Sequence, residues 1–311
     1  MRFTFISLLS AFTGVWLLIA ESPTSATQKS TADLVDIVRP AVVQVAVAVV
    51  TPLQPETTIP SPLDKCFQNK PACVVGTGFF VNTNGDVVTA SHVANGIQAR
   101  ASEPGTPGTQ QIIEMLGANA IHASTIIAVS WPNVEARGLT LIGGRTTFPV
   151  TLVAADAEHD IAVFHATVNP FTNMPRLFSG PRYAGLPQTR VKFVSLAVGR
   201  PRDGEEIFAC GFPFGEPGLV TTSGAIASAW KTKTLLTATA AGLLRDVEIY
   251  WADLRLNPGN SGGPVFRPRD QAMVGMVVEV KGSLGVLVPA KYVSEFLTAH
   301  GIQWRPATHT H

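Results

Sequence analysis

Three short stretches of this 311-residue chain carry residue types that can cooperate in nucleophilic catalysis. One is a glycine-rich segment around Ser261, at residues 257–264, and the other two contain His92 and Asp160. A serine hydroxyl is a weak nucleophile unless a base such as histidine accepts its proton, and an acid can orient that base. Each stretch also has an ordinary structural interpretation, because Gly, Asn, Pro and Ser are common turn residues and aspartate often caps a turn.

The segment around Ser261 is suited to hold an oxyanion as well as a nucleophile. Three glycines surround the serine, and glycine permits the positive φ angles of a tight loop. Such a loop can expose Ser261 Oγ while it aims the N–H groups of Gly259 and Ser261 at one point. We therefore predict an oxyanion hole formed by Gly259, Asn260 and Ser261.

The composition limits the classes of function that the chain can have. The formal net charge is +1 and no basic run is present, so nucleic acid is not expected as a partner. No His-Glu-x-x-His motif occurs, and we predict neither a metal site nor a cofactor. Gly76 and Gly78 lie in an apolar run that no helix or Lys-Ser/Thr follows, which excludes a phosphate-binding loop.

The first residues of the chain have the pattern of a targeting segment. Residues 3–20 carry no charge and follow Arg2, and residues 21–29 are small or polar. This predicts a secretory signal peptide over residues 1–26. The apolar run is also close to the minimum length of a membrane span, so an uncleaved anchor at residues 3–20 is the alternative. Both interpretations predict an exported protein, either periplasmic or secreted, or held at the membrane.

Short strand-like runs dominate the rest of the chain and fall into two sets. Hydrophobic residues make up 46% of the sequence, and 27 glycines and 23 prolines indicate many turns, which favours an all-β architecture. Two such sets joined by a linker predict two packed β-barrels. The predicted segments are a helix at residues 31–39 with Thr31 as N-cap, a first barrel at about 41–168, a linker at 169–185, a second barrel at about 186–289, a helix at 290–300 and a tail at 301–311.

Two segments are longer than ordinary connections. Residues 51–73 are rich in proline and threonine and are predicted to form an exposed loop, in which Cys66 and Cys73 could form a local disulfide. Residues 95–145 form an insertion between the histidine and aspartate stretches. Cys210 lies in an apolar run and is predicted to be a buried thiol.

Together, the three stretches resemble the signature motifs of chymotrypsin-fold serine proteases. They read Thr89-Ala90-Ser91-His92, His159-Asp160-Ile161-Ala162 and Gly259-Asn260-Ser261-Gly262-Gly263-Pro264. Within that fold the chain is most similar to the HtrA/Deg family of exported bacterial proteases, from about residue 32 to 297. The resemblance implies two packed six-stranded antiparallel β-barrels with short N-terminal and C-terminal helices. It also implies a catalytic triad of His92, Asp160 and Ser261.

The sequence departs from the HtrA pattern at two places. It ends shortly after the helix at residues 290–300, so the peptide-binding PDZ domain usual in that family is not expected here. The segment at residues 95–145 is also longer than in that family. The expected lack of the PDZ domain argues against transferring PDZ-driven activation or a cage-like oligomer to this chain.

The function implied by the resemblance is that of an exported serine endopeptidase acting on polypeptides, in protein quality control or regulated proteolysis. Residues 251–256 would line the specificity pocket. Leu256 implies cleavage after a small or medium aliphatic residue, whereas Arg255 would favour cleavage after an acidic one. Strand alternation places one of the two inward, and we favour Leu256. The alternative function is that of a non-catalytic binding or chaperone-like protein on the same fold.

Overall fold

The computed structural model describes ten stretches of the chain: residues 30–50, 73–95, 122–131, 134–136, 139–141, 144–177, 191–216, 218–229, 231–234 and 245–307. The predicted signal or anchor at residues 1–26, and Cys66 of the predicted disulfide, lie outside these stretches and stay predictions. None of the helices in the described stretches has the length and apolar character that crossing a membrane requires.

The first half of the chain forms a closed barrel of six antiparallel strands. Its helices and strands are α1 Thr31–Val38, β1 Val42–Val50, β2 Cys73–Phe80, β3 Asp86–Ala90, α2 Ser91–Ala94, β4 His122–Trp131, β5 Val134–Ala136, β6 Leu139–Leu141, β7 Gly144–Asp156, β8 Ile161–Ala166 and α3 Pro170–Leu177. The order around the barrel is β1-β2-β3-β8-β7-β4, and pairing of β1 with β4 closes it. β5 and β6 pair with each other as a separate hairpin.

A second six-strand ring follows in the second half. Its elements are β9 Ser195–Leu196, β10 Glu206–Gly211, β11 Val220–Ser228, β12 Lys231–Thr234, β13 Arg245–Glu248, β14 Tyr250–Asp253, β15 Pro264–Arg267, β16 Ala272–Lys281, β17 Leu284–Pro289, α4 Ala290–Ala299 and β18 Arg305–Pro306. The strands β15-β10-β11-β14-β17-β16 are consecutive neighbours, and pairing of β15 with β16 joins the two ends of this run. The predicted all-β fold of two six-stranded barrels with short helices at both ends is confirmed.

Strand β1 shows how the two barrels are held together. Its β-branched residues suit a pleated, buried surface, and Val43, Val45 and Val47 are almost fully buried. Gln44 is also fully buried, and its Nε2 donates to the carbonyl of Gly215 in the second half at 3.0 Å. Both faces of β1 are therefore covered. One hydrophobic cluster continues from the first barrel into the second.

The cap of α1 differs from its prediction by one residue. Ser30, not Thr31, is the N-cap, since its hydroxyl accepts the N–H of Asp33 at 3.2 Å and the Asp33 carboxylate accepts the N–H of Ser30 at 3.0 Å. This reciprocal capping box satisfies two donors that the helix leaves open, which a cap at Thr31 would not do.

Two segments predicted to be irregular contain regular structure. Residues 170–177 of the predicted linker form α3, which begins at a proline, where the missing N–H costs nothing. In the predicted tail, residues 305–306 form β18 beside β9. Side chains of Ile302 and Trp304 pack on the core, and Asn82 Nδ2 donates to the carbonyl of Gln303 at 2.8 Å. These contacts hold the segment against the first barrel.

Candidate active site

His92 and Asp160 meet at the ends of two neighbouring strands of the first barrel. β3 ends at Ala90 and passes directly into α2, which carries His92, while β8 begins immediately after Asp160. His92 Nδ1 lies 2.7 Å from Asp160 Oδ2, and the His92 backbone N–H donates to Asp160 Oδ1 at 2.8 Å. The Asp160 carbonyl also accepts the N–H of Ser91 at 3.1 Å. With its proton on Nδ1, neutral His92 has an unprotonated Nε2 that can act as a base.

The turn before β8 holds Asp160 in an uncommon backbone conformation. Its φ is +54°, in the left-handed region that few residues besides Gly, Asn and Asp adopt. Asp156 Oδ1 accepts the N–H groups of Glu158 and His159 at 2.7 and 3.3 Å, and Oδ2 lies 2.6 Å from His159 Nδ1. Burial raises the pKa of Asp156, but the hydrogen bonds, above all the one to His159, lower it below its usual value. A charged Asp156 therefore stabilises the turn that presents Asp160.

The charges around His92 raise its pKa. Burial disfavours the protonated ring and lowers the pKa, but the hydrogen bond to Asp160 and the negative charges of Asp160 and Glu279 raise it above its ordinary value. His92 is consequently a stronger base than an isolated histidine. At a given pH near this raised pKa, a smaller fraction of His92 is neutral than would be the case for an ordinary histidine.

The glycine-rich segment at residues 257–263 forms a tight loop in front of β15, which we call the serine loop. Gly259 has φ +99° and Gly262 has φ +82°. A Cβ would come within 2.5 Å of the Phe212 carbonyl at Gly259 and within 2.2 Å of the Thr77 carbonyl at Gly262. Glycine is required at both positions because the φ angle is positive and backbone atoms lie too close for a side chain.

Each carbonyl from residue 257 to 261 accepts a hydrogen bond from the protein. In chain order the donors are Asn260 N–H, Phe214 N–H, Thr77 Oγ1, Gly263 N–H and Thr77 N–H, at 3.0, 2.6, 2.7, 2.8 and 2.9 Å. Asn260 thus uses its N–H inside the loop. Within the described part of the chain, the N–H groups of Gly259 and Ser261 have no protein acceptor. The N–H and C=O of a trans peptide point in opposite directions, so these two N–H groups face away from the donors that hold the preceding carbonyls.

The serine loop packs against the strands of the first barrel that lead to His92. A Cβ at Gly262 would lie 2.8 Å from the nitrogen of Ala90, and a Cβ at Gly76 would lie 3.1 Å from the carbonyl oxygen of Ser261. The loop and the histidine therefore occupy the same junction between the barrels. No hydrogen bond joins His92 to Ser261 among the described residues, and such nucleophile–base contacts often tighten only when substrate binds.

Leu256 and Arg255, the two predicted pocket residues, face opposite sides of the segment before the serine loop. Leu256 is buried and Arg255 is exposed. A Cβ on Gly285 of β17 would come within 2.5 Å of Leu256 Cδ1, so the leucine side chain lies directly over this glycine. An apolar group thus lines the inner side of the segment.

Other candidate groups in the described stretches do not add to this site. Cys210 is buried as predicted, and burial raises the pKa of its thiol to about 11, which makes it unreactive at neutral pH. No cluster of three or more His, Cys, Asp or Glu side chains in those stretches is placed to hold a metal ion.

Sequence reasoning missed two residues that shape the site, Thr77 and Asp156. Thr77 lies between Gly76 and Gly78 in β2, where a Cβ would come within 2.7 and 2.9 Å of neighbouring side chains, respectively. Glycines inside a strand signal a close approach of another backbone, and that signal could have indicated Thr77. An aspartate that begins a turn commonly binds the N–H groups two and three residues later, which could have identified Asp156.

Comparisons with known proteins identify the family of the chain. A family model described as "Trypsin-like peptidase domain" matches residues 76–276, more than half of the chain. The mitochondrial serine protease HTRA2 of Drosophila willistoni is 29% identical over 191 residues, which are 61% of this chain and 37% of that protein. The chain therefore matches well under half the length of this relative.

Two solved structures share the fold. The Rv3671c protease from M. tuberculosis in its active form has a TM-score of 0.53 and 17% identity, with 97% of each chain covered. Deg5 has a TM-score of 0.51 and 18% identity, and the match covers 88% of this chain and 95% of that chain. The prediction of a chymotrypsin-like double barrel is confirmed, and the family model confirms the predicted class of trypsin-like peptidase. The chain belongs to the trypsin-like peptidase domain family.

Proposed function

We propose that this protein is an exported serine endopeptidase in which Ser261 is the nucleophile, His92 the general base and Asp160 the acid that orients it. The main support is the serine loop. Its carbonyls all accept hydrogen bonds from the protein, whereas the N–H groups of Gly259 and Ser261 have no protein acceptor among the described residues. That arrangement lies at the same junction as the His92–Asp160 pair. A surface turn with no function would not need two unpaired N–H groups near a half-buried imidazole whose partner carboxylate is buried.

The reaction follows from the roles of these groups. His92 Nε2 accepts the proton of Ser261 Oγ as the oxygen attacks the peptide carbonyl carbon, and Asp160 stabilises the resulting imidazolium. The N–H groups of Gly259 and Ser261 bind the oxyanion, and one such donor contributes about 3 kcal/mol to transition-state stabilisation. His92 then returns the proton to the leaving amine. Water attacks the acyl-enzyme through the same base to release the second product.

Polypeptides are the proposed substrates, cleaved after small or medium aliphatic residues. The buried position of Leu256 over Gly285 supports an apolar pocket of limited depth, whereas the exposed Arg255 offers no charge to its interior. Peptides that differ only in the residue before the scissile bond would test this. Preferred cleavage after Asp or Glu would contradict it.

Export and a role in protein quality control or regulated proteolysis form the wider part of the proposal. The signal-like pattern of residues 1–26 supports export, and the similarity to an HtrA-type protease supports the role. Determining the N-terminal residue of the exported protein would distinguish a cleaved signal from an anchor at residues 3–20.

A fluorophosphonate probe together with Ser261→Ala tests the catalytic assignment. The wild-type protein should be labelled and should cleave casein, and Ser261→Ala should lose both properties with an unchanged Tm. Ser283→Ala is the matched control, because Ser283 is exposed in the turn between β16 and β17. An unlabelled wild-type protein would favour the non-catalytic binding function. Casein cleavage by Ser261→Ala would refute the role of the serine.

A further inference from the structure

Thr77 is the residue of the first barrel that contacts the serine loop through the most hydrogen bonds among those described. Its side chain is fully buried in β2. Its N–H donates to the Ser261 carbonyl at 2.9 Å and its hydroxyl donates to the Gly259 carbonyl at 2.7 Å. The same hydroxyl accepts the N–H of Phe212 at 3.0 Å. The buried Thr77 hydroxyl therefore uses both its donor and one of its acceptor sites in hydrogen bonds to the protein.

These bonds determine the orientation of the peptide that carries the Ser261 N–H. The Gly259 carbonyl belongs to the peptide before it and the Ser261 carbonyl to the peptide after it, so Thr77 holds the planes on both sides. Gly259 has no Cβ and could otherwise rotate between positive and negative φ at little cost. The Thr77 hydroxyl supplies the restraint that the glycine itself lacks.

Thr77 also connects the serine loop to β3, the strand that leads directly into α2 and His92. The hydroxyl of Thr89 donates to the Thr77 carbonyl at 2.7 Å, and Thr89 lies three residues before His92 on the same run of chain. On the other side, Phe212 begins the turn whose Phe214 N–H holds the Pro258 carbonyl at 2.6 Å. Thr77 is thus linked through its hydrogen-bond partners to the peptides on either side of the Ser261 N–H, to the turn that holds the Pro258 carbonyl, and to the strand that leads to His92.

We propose that Thr77 is a positioning residue that fixes the Gly259 and Ser261 peptides in the orientation that binds an oxyanion. This inference rests on the proposed hydrolase function. Loss of the hydroxyl should misplace the oxyanion donors without altering the His92–Asp160 pair, because the hydrogen bonds of the Thr77 hydroxyl go to Gly259 and Phe212 and to neither residue of that pair. The defect should therefore lie in the chemical step and not in substrate binding or in the titration of the base.

Three variants test this role at a temperature well below the Tm of each. Thr77→Val keeps the shape of the side chain and removes the hydroxyl, and Thr77→Ser keeps the hydroxyl. Asn82→Ala is the control, since Asn82 is buried and hydrogen-bonded away from the serine loop. We expect Thr77→Val to lower kcat and the rate of fluorophosphonate labelling about 10- to 100-fold, somewhat less than outright removal of an oxyanion donor. KM and the pH at which activity falls should stay unchanged, and Thr77→Ser should restore most of the rate.

The outcomes separate this inference from the proposed function. If the wild-type protein is not labelled, the hydrolase function itself fails. If the wild-type protein is labelled and Thr77→Val reacts at the same rate, or Asn82→Ala loses as much rate, Thr77 has no positioning role. Should Thr77→Val not fold, Thr77→Ala replaces it with the same expected loss. If neither Thr77→Val nor Thr77→Ala shows a cooperative unfolding transition, both variants lack the native fold. Thr77 would then be a purely structural residue, and the proposal would be overturned.

Discussion

Replacing Gly262 with alanine should displace the serine loop from the first barrel. An alanine Cβ at this position would lie 2.2 Å from the carbonyl oxygen of Thr77 and 2.2 Å from the hydroxyl of Thr89. Real Cβ contacts essentially never fall below 3.0 Å, so the loop and the strands must separate by about 0.8 Å, the difference between 3.0 and 2.2 Å. Both obstructing atoms belong to strands of a closed barrel, and the loop has to make most of the movement.

Gly262→Ala should have two effects: backbone strain should lower the folding stability, and displacement of the loop should lower the reaction rate. Gly262 has φ +82°, and holding alanine in the left-handed region costs about 1–2 kcal/mol of folding stability. A displacement close to 1 Å in an active site lowers the rate by about 10²-fold. We therefore expect Gly262→Ala to lower kcat/KM about 100-fold.

Gly282 provides the matched control because it has φ +62° and because a Cβ added there would meet no described atom within 4 Å. Gly282→Ala should lose about 1 kcal/mol of stability through the same backbone strain and keep its kcat/KM. Steady-state hydrolysis of one peptide, together with denaturant unfolding of both variants, measures the two parts separately. Wild-type kcat/KM in Gly262→Ala, or an equal loss of kcat/KM in Gly282→Ala, would refute the argument that close packing of the loop positions Ser261.

Two further predictions concern pH and specificity. The proposed mechanism requires neutral His92, and Asp160 and Glu279 raise its pKa. As the pH is lowered, activity should therefore begin to fall at a higher pH than it would with an ordinary histidine. Glu279→Gln should lower the pKa of His92 and move the acid limb of the kcat/KM profile to lower pH. Glu295→Gln is the control, because Glu295 is exposed on α4, and it should leave that limb in place. An unmoved limb in Glu279→Gln would contradict the charge effect. Leu256→Ala should deepen the apolar pocket and raise the kcat/KM ratio of Phe to Val peptides, and an unchanged ratio would remove Leu256 from the pocket.

The residues that sequence reasoning identified all carry a local signal. His92 follows a strand, Asp160 precedes one, and Ser261 lies among glycines that a tight loop requires. Alternation along a strand was enough to expect Leu256 and Arg255 on opposite sides. Patterns of this kind depend on residues close in sequence, and for that reason they could be recognised without coordinates.

The local contacts of Asp156 were missed as well, but the interactions of Thr77 join residues far apart in the chain. The Thr77 hydroxyl binds a carbonyl 182 residues away and an N–H 135 residues away. Both partners are backbone groups, so their side chains do not indicate the contact. β18 forms because Arg305 pairs with Ser195, which a polar C-terminal sequence does not reveal. The glycines on either side of Thr77 indicate that another backbone comes close, but they do not identify which part of the chain provides it.

The location of the site at the junction of the barrels has an energetic consequence. His92 and Asp160 come from the first barrel and the serine loop comes from the second. Their relative positions therefore depend on groups that bridge the two barrels, such as Gln44 and Thr77. A typical hydrogen bond contributes about 1 kcal/mol net, but leaving a buried partner unsatisfied costs about 1–3 kcal/mol. Each bridging group is therefore difficult to replace singly, although each barrel has its own continuous strand pairing. The arrangement of the site is consequently more sensitive to substitution at the junction than the two barrels themselves are.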